Sequence, residues 1–227
     1  MVASALDVEA PVGGERYELS PDLVTLSDQR PSEAESIRTI RTHLIARHIR
    51  DGRRGIAVCA ATPGVGCTFT ATNLAVSLSQ VGISTLLIDA DMRNPGVETL
   101  IRPLHSTPGL RDCAGSEDIQ PVTCIHSEVL PNLSIMYAGG RAENAQELLA
   151  SARFRQLIDR CLRDYEFTVI DTPPASLCAD ARRIGSIIGY ALIVARSNAT
   201  RMSDVVQMDH RFQEDGTRVV GTVLSEV

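Results

Sequence analysis

A doubly wound, mostly parallel α/β sheet is the fold this sequence predicts, and three observations carry it. Short, near-continuous apolar runs alternate with helical patterns, the mark of parallel strands covered on both faces. The first run feeds a glycine-rich turn and then a helix, the place where an open α/β sheet binds anions. The 227 residues suit one such domain with extra segments, and neither an internal repeat nor a second domain is visible.

The elements follow in order. Residues 1–31, rich in Pro, Gly, Ser and acids, read as a flexible tail with a short strand over 23–26. The folded domain is expected over 32–227. Ser32 and Glu35 have capping-box spacing, and Ile37, Ile40 and Leu44 then form one apolar stripe, so a helix starts there and ends at Gly52 or Gly55. A buried strand is expected over 55–61, a helix over 66–80 with Ala71, Leu74, Ala75 and Leu78 on one face, and a strand over 84–89. Further strands are read over 133–137, 167–171, 190–195 and 219–224, with helices over 145–151, 152–163 and 202–214.

Composition narrows the function classes. Hydrophobic residues make up 44% and charged residues 22%, a globular balance that buries roughly three-quarters of the unfolded surface without disulfides. A net charge of −6 argues against a nucleic-acid partner, and four Tyr, four Phe and no Trp provide no base-stacking platform. All 22 basic residues are arginine, so any mechanism needing a lysine from this chain is excluded. The six cysteines form no CxxC pair and no zinc spacing, and read as buried apolar thiols in a reducing cytoplasm. No basic, apolar leader follows Met1, and no run approaches the ~18 apolar residues of a membrane span. The expected location is cytoplasmic, with membrane contact only through a partner.

The chemistry concentrates at Ala61-Thr62-Pro63-Gly64-Val65-Gly66-Cys67-Thr68, between a buried strand and a helix. Glycines let such a loop turn its N–H groups inward, the helix N-terminus adds positive potential, and the Thr68 hydroxyl suits Mg²⁺. A bare Gly-rich strand-to-helix turn is the alternative. Three carboxylates weigh against it: Asp89 and Asp91 follow one apolar strand, and Asp171 follows another. Ligands of open α/β sheets lie outside these carboxyl ends, so the carboxylates and Thr68 converge on the phosphate position. Mg²⁺ takes oxygen ligands such as Thr68, Asp89 and Asp171, and Asp89 or Asp91 suits accepting a proton from an attacking hydroxyl.

These residues resemble the cytoplasmic domain of the bacterial tyrosine kinases (BY-kinases) of capsule and exopolysaccharide synthesis, relatives of the ParA/MinD branch of P-loop NTPases. The resemblance spans residues 32–224. The loop is similar to the family's Walker A, residues 87–95 (LIDADMRNP) to its Walker A′, and 165–174 (YEFTVIDTPP) to its Walker B. Gly109-Leu110 with Gly115, and Asn144-x-x-Glu147-Leu148-Leu149-x-Ser151, match as well. The resemblance implies Mg-ATP or Mg-ADP as cofactor. Gly64, Val65, Gly66, Cys67, Thr68 and Arg93 would then lie at the nucleotide, and Asp89 and Asp91 would be catalytic. It also implies a homo-oligomer in which Glu35, Arg38 and Arg41 make subunit contacts; without it they read as a surface helix with i,i+3 ion pairs.

Three departures define the expectation. The loop lysine is replaced by Cys67, which removes a charged hydrogen bond worth about 1.5–3 kcal/mol and more in the phosphoryl-transfer transition state. A thiol at a helix N-terminus also has a lowered pKa, and a thiolate there would repel phosphate. The chain stops at Ser225-Glu226-Val227 without the family's C-terminal tyrosine cluster. Tyr137, Tyr165 and Tyr190 adjoin core strands, which leaves Tyr17 as the free tyrosine. Ser225 stands where the family has an Asn that helps hold the base. The expected function is a BY-kinase-like component of capsule or exopolysaccharide synthesis and export, catalytically impaired, with weakened or lost nucleotide binding. Its activator would be a membrane polysaccharide co-polymerase, a chain-length regulator supplied as a separate polypeptide at the inner membrane. Two alternatives stand beside it: an active ATPase or tyrosine kinase using Arg in place of the lysine, and a ParA/MinD-type positioning ATPase.

Overall fold

The computed structural model describes residues 6–8, 17–105 and 108–226. The elements are β1 (Leu6–Val8), β2 (Tyr17–Leu19), α1 (Pro31–Leu44), β3 (Gly55–Ala60), α2 (Cys67–Ser79), β4 (Thr85–Asp89), β5 (Ile101–Pro103), α3 (Leu110–Gly115), β6 (His126–Leu130), β7 (Leu133–Met136), α4 (Ala145–Ala150), α5 (Ala152–Asp164), β8 (Phe167–Asp171), α6 (Asp180–Ile188), β9 (Tyr190–Arg196), α7 (Met202–Glu214) and β10 (Arg218–Ser225). The main sheet has the order β10-β9-β3-β8-β4-β7-β6, parallel throughout except for β6 against β7. The predicted doubly wound sheet is therefore the observed one, with β8 at its centre and β3 beside it.

Two apolar layers cover the sheet. Side chains alternate across a strand, so β3 sends Ala57 and Cys59 into one layer and Ile56, Val58 and Ala60 into the other. The first layer is completed by Phe154, Ile184 and Phe212 from α5, α6 and α7. The second is completed by α2, in which every residue from Thr70 to Ser79 is buried. Among the described residues no helix is long and apolar enough to cross a membrane.

The N-terminal segment departs from expectation. Its first part lies outside the described residues apart from Leu6–Val8, but from Tyr17 onward it is folded onto the domain. β2 pairs antiparallel with both β1 and β5 in a second, three-stranded sheet. The expected strand over 23–26 is a 3-10 turn, Val24–Leu26, with Leu23 and Val24 fully buried. Tyr17 is not free: it is 5% exposed, its hydroxyl lies 3.0 Å from His126 Nδ1, and His126 in turn stacks edge-on with Tyr137. Composition pointed to a tail because its polar residues outnumber four apolar anchors that find partners far along the chain. Tyr17→Phe is expected to lose about 1 kcal/mol in urea unfolding, the net worth of one hydrogen bond; unchanged stability would show the hydroxyl contributes nothing.

Helix α1 also starts differently. Pro31 takes the first helical position, Arg30 occupies the N-cap without a side-chain bond, and Ser32 lies inside the helix, so no capping box forms. The helix runs on through a π turn, Ile45–Ile49, and closes at Gly52, whose φ is 75°. Besides the three strands of the smaller sheet, three elements had no clear sequence signal. β6 is largely polar and interrupted by Glu128 at φ 51°, whereas α3 and α6 are short.

Candidate functional site

The loop between β3 and α2 stands at the carboxyl edge of the sheet, flanked by the ends of β8 and β9. Gly64 and Gly66 hold φ of 73° and 90°, the left-handed region that a residue with a Cβ rarely adopts. That conformation turns the loop over the start of α2. The helix begins at Cys67, so its first N–H groups have no intrahelical acceptor and face the loop. Thr68 follows, and its hydroxyl packs against Gly96: a Cβ on Gly96 would come within 2.9 Å of Thr68 Oγ1. The Walker A′-like segment therefore closes directly onto the Thr68 hydroxyl.

Asp89 and Asp171 end neighbouring parallel strands in direct register, and both are fully buried. Asp89 spends its oxygens on the backbone: Oδ2 accepts from the N–H groups of Gly96 and Val97, each at 3.0 Å, and Oδ1 from that of Asp91 at 3.1 Å. These bonds favour its charged form, yet burial outweighs them and lifts its pKa to about 7. Neither oxygen of Asp171 has a hydrogen-bond partner of ordinary geometry. Burial pushes its pKa well up, the Asp89 carboxylate raises it further, and the nearby Thr68 hydroxyl and Cys67 thiol offset only part. A buried carboxyl pair in this condition shares protons until a cation arrives. Asp91 shapes the next turn through Oδ1, which accepts from Arg93 N at 3.2 Å and Asn94 N at 2.9 Å.

Cys67 overturns one expectation. Its side chain turns under the loop, where Sγ donates to the carbonyl of Val58 at 3.1 Å. Burial, then the Asp171 carboxylate, push the thiol pKa well up, so the helix N-terminus does not produce a thiolate. A neutral thiol there carries no charge to repel phosphate. Arg93 is not aimed at the loop either; its Nε donates to Asp180 Oδ2 at 2.8 Å, and that carboxylate is 2% exposed.

Of the residues expected at subunit contacts, Glu35 and Arg38 pair with each other on the exposed face of α1 at 3.5 Å. Arg41 instead donates to the carbonyl and hydroxyl oxygens of Ser77, which ties α1 to α2. Two site residues escaped the sequence reading. Asp180 belongs to no motif and meets Arg93 across 87 positions. Arg196 ends β9, and its Nη1 donates to the carbonyl of Gly64 at 3.2 Å.

The residues fit a magnesium nucleotide. The glycine cradle and free helix N–H groups suit phosphate, and the orphaned oxygens of Asp171 beside Thr68 suit a hard cation. Bound there, the metal would neutralise charge on the phosphate oxygens. Among the described residues no group of three His, Cys, Asp or Glu side chains forms a metal cage, so phosphate and water would complete any coordination.

The chain is similar to known proteins. A family profile described as "AAA domain" matches residues 53–213. The chain is 31% identical over 216 residues to the tyrosine-protein kinase wzc of Salmonella typhimurium, covering 95% of this chain and 30% of that protein. It is 29% identical over 173 residues to the tyrosine-protein kinase CpsD of Streptococcus agalactiae, covering 76% of this chain and 75% of that one. Its fold superposes on the kinase domain of the Escherichia coli tyrosine kinase ETK with a TM-score of 0.81 and 26% identity, covering 92% of this chain and 81% of that one. The chain spans only between a quarter and a third of several curated relatives it matches.

Proposed function

Because the chain belongs to the AAA-domain family, in its bacterial tyrosine kinase branch of P-loop domains, we propose that it is a nucleotide-binding component of capsule or exopolysaccharide export whose phosphoryl transfer is impaired. One observation carries the impairment: where the loop lysine would stand there is Cys67, a neutral thiol bonded to the Val58 carbonyl, which brings no cation to the loop. Retained binding is supported by the intact glycine cradle and by the buried carboxyl pair, in which the unpartnered oxygens of Asp171 suit a cation. In this reading Mg-ATP or Mg-ADP sets the state of a scaffold rather than fuelling rapid chemistry. The scaffold assembles with further copies through the exposed Glu35 and Arg38 face of α1. It is held at the cytoplasmic side of the inner membrane by a polysaccharide co-polymerase of the chain-length-regulator type.

Purified protein incubated with Mg-ATP tests this reading. Calorimetry is expected to show binding, while phosphate release and self-phosphorylation stay far below the ~1–100 per second typical of kinases. Turnover within that range would overturn the impairment. Absence of binding by both the wild type and a lysine-restored loop would overturn the nucleotide role altogether.

A further inference from the structure

We infer that Arg196 supplies the positive charge the loop itself lacks, and that its guanidinium grips the terminal phosphates of a bound nucleotide. The inference rests on the nucleotide-binding reading above and names the side chain that makes it work. No lysine exists in the chain to do so.

The placement follows from the sheet. β9 runs beside β3 with Val194 opposite Ala60, so Arg196, two residues on, emerges beside the loop that follows β3. Its backbone is anchored there: Arg196 N donates to Thr200 Oγ1 at 2.9 Å, and Ser197 N donates to the Ser225 carbonyl at 2.8 Å. The side chain is exposed, and one N–H holds the Gly64 carbonyl at 3.2 Å. A guanidinium has five N–H donors, so most of its fork stays available for phosphate oxygens. Gly64 also lines a cavity of about 600 Å³ shared with Gly66, Phe69, Thr70 and Ser225. Arg196 does not itself line that space, which also carries the carboxylates of Asp22, Glu33 and Glu226; it reaches the loop from the β9 side, through its bond to Gly64.

Other nearby arginines bond groups outside the loop. Arg93 is held by the buried carboxylate of Asp180. Arg30 pairs with Asp22 and Glu33. Arg41 is bonded to Ser77. Among the described residues, Arg196 alone has a side-chain cation hydrogen-bonded to the loop.

The test is calorimetric titration of Mg-ADP and Mg-ATP into the wild type, Arg196→Ala, Arg196→Lys, Cys67→Lys and the double variant Cys67→Lys/Arg196→Ala, each checked for folding by thermal melting. Arg196→Ala is expected to weaken binding about 10- to 100-fold, as loss of a charge-assisted bond does, with Arg196→Lys in between. The double variant is expected to bind nearly as tightly as Cys67→Lys alone, since a loop lysine makes the arginine redundant. Arg196→Ala binding within about twofold of wild type overturns the inference. So does a loss that persists in full on the Cys67→Lys background, which would place the arginine at another part of the ligand. Binding by Cys67→Lys but not by wild type overturns it too, while sparing the nucleotide reading; binding by neither removes that reading itself.

Discussion

Cys67→Lys is expected to tighten Mg-ADP binding by about 10- to 100-fold and to raise ATP turnover by on the order of a hundredfold or more. The first figure is the worth of a charged hydrogen bond to a ground-state phosphate, about 1.5–3 kcal/mol. The second is larger because the transition state spreads negative charge over the transferred group, where a fixed cation acts most strongly. The wild-type thiol cannot substitute. Its proton is held on the Val58 carbonyl, and desolvation together with the nearby Asp171 carboxylate pushes its pKa up and keeps it neutral. The native thiol already neighbours Asp171, so an ammonium introduced at position 67 adds positive charge near that carboxyl. Calorimetry and phosphate release on the two proteins read both effects. Equal affinity and equal turnover would show that Cys67 limits neither step.

The second large effect concerns stability. Asp171→Asn is expected to stabilise the nucleotide-free protein by about 1–3 kcal/mol at pH 8, the scale of removing a buried, unsatisfied charge. That gain is expected to shrink towards zero at pH 5. The sign follows from the direction of the shifts. Folding raises the pKa of Asp89 to about 7 and that of Asp171 well above the ordinary carboxylate value. Between about pH 4 and pH 7 and beyond, the native state therefore holds more protons than the unfolded chain. The pair's contribution to stability is full below the unfolded pKa and is lost as pH rises through the folded values. Urea unfolding of both proteins at pH 5 and pH 8 isolates the term, because other titrating groups cancel in the difference. A wild type more stable than the variant at pH 8 would contradict it. The same substitution should abolish any stabilisation by Mg-ADP, since it replaces one of the two unpartnered oxygens with an amide nitrogen and removes the charge that suits the cation.

The two predictions describe one arrangement. A site with two buried carboxyls and no loop lysine has an excess of negative charge waiting for a ligand. The protein tolerates this by keeping protons on the pair. An added ammonium at position 67 should lower the Asp171 pKa, and so reduce the pH dependence that the second experiment measures.

Much of this was legible in the sequence, and the reason is locality. The strands, the loop and the carboxylates at strand ends are each set by a few consecutive residues: an apolar run, glycines at positive φ, an Asp where a strand leaves the sheet. Parallel strands then have to bring their carboxyl ends to one edge, which is why Asp89, Asp171 and Thr68 gather as expected. The missing lysine is likewise a fact of composition. What composition cannot set is where long side chains point. Arg93 turns to Asp180 across 87 positions, Arg196 to Gly64 across 132, and Tyr17 to His126 across 109. Each partner is chosen by which strands lie side by side. The partner of the Cys67 thiol was likewise decided by tertiary structure, because the fold puts the Val58 carbonyl within its reach.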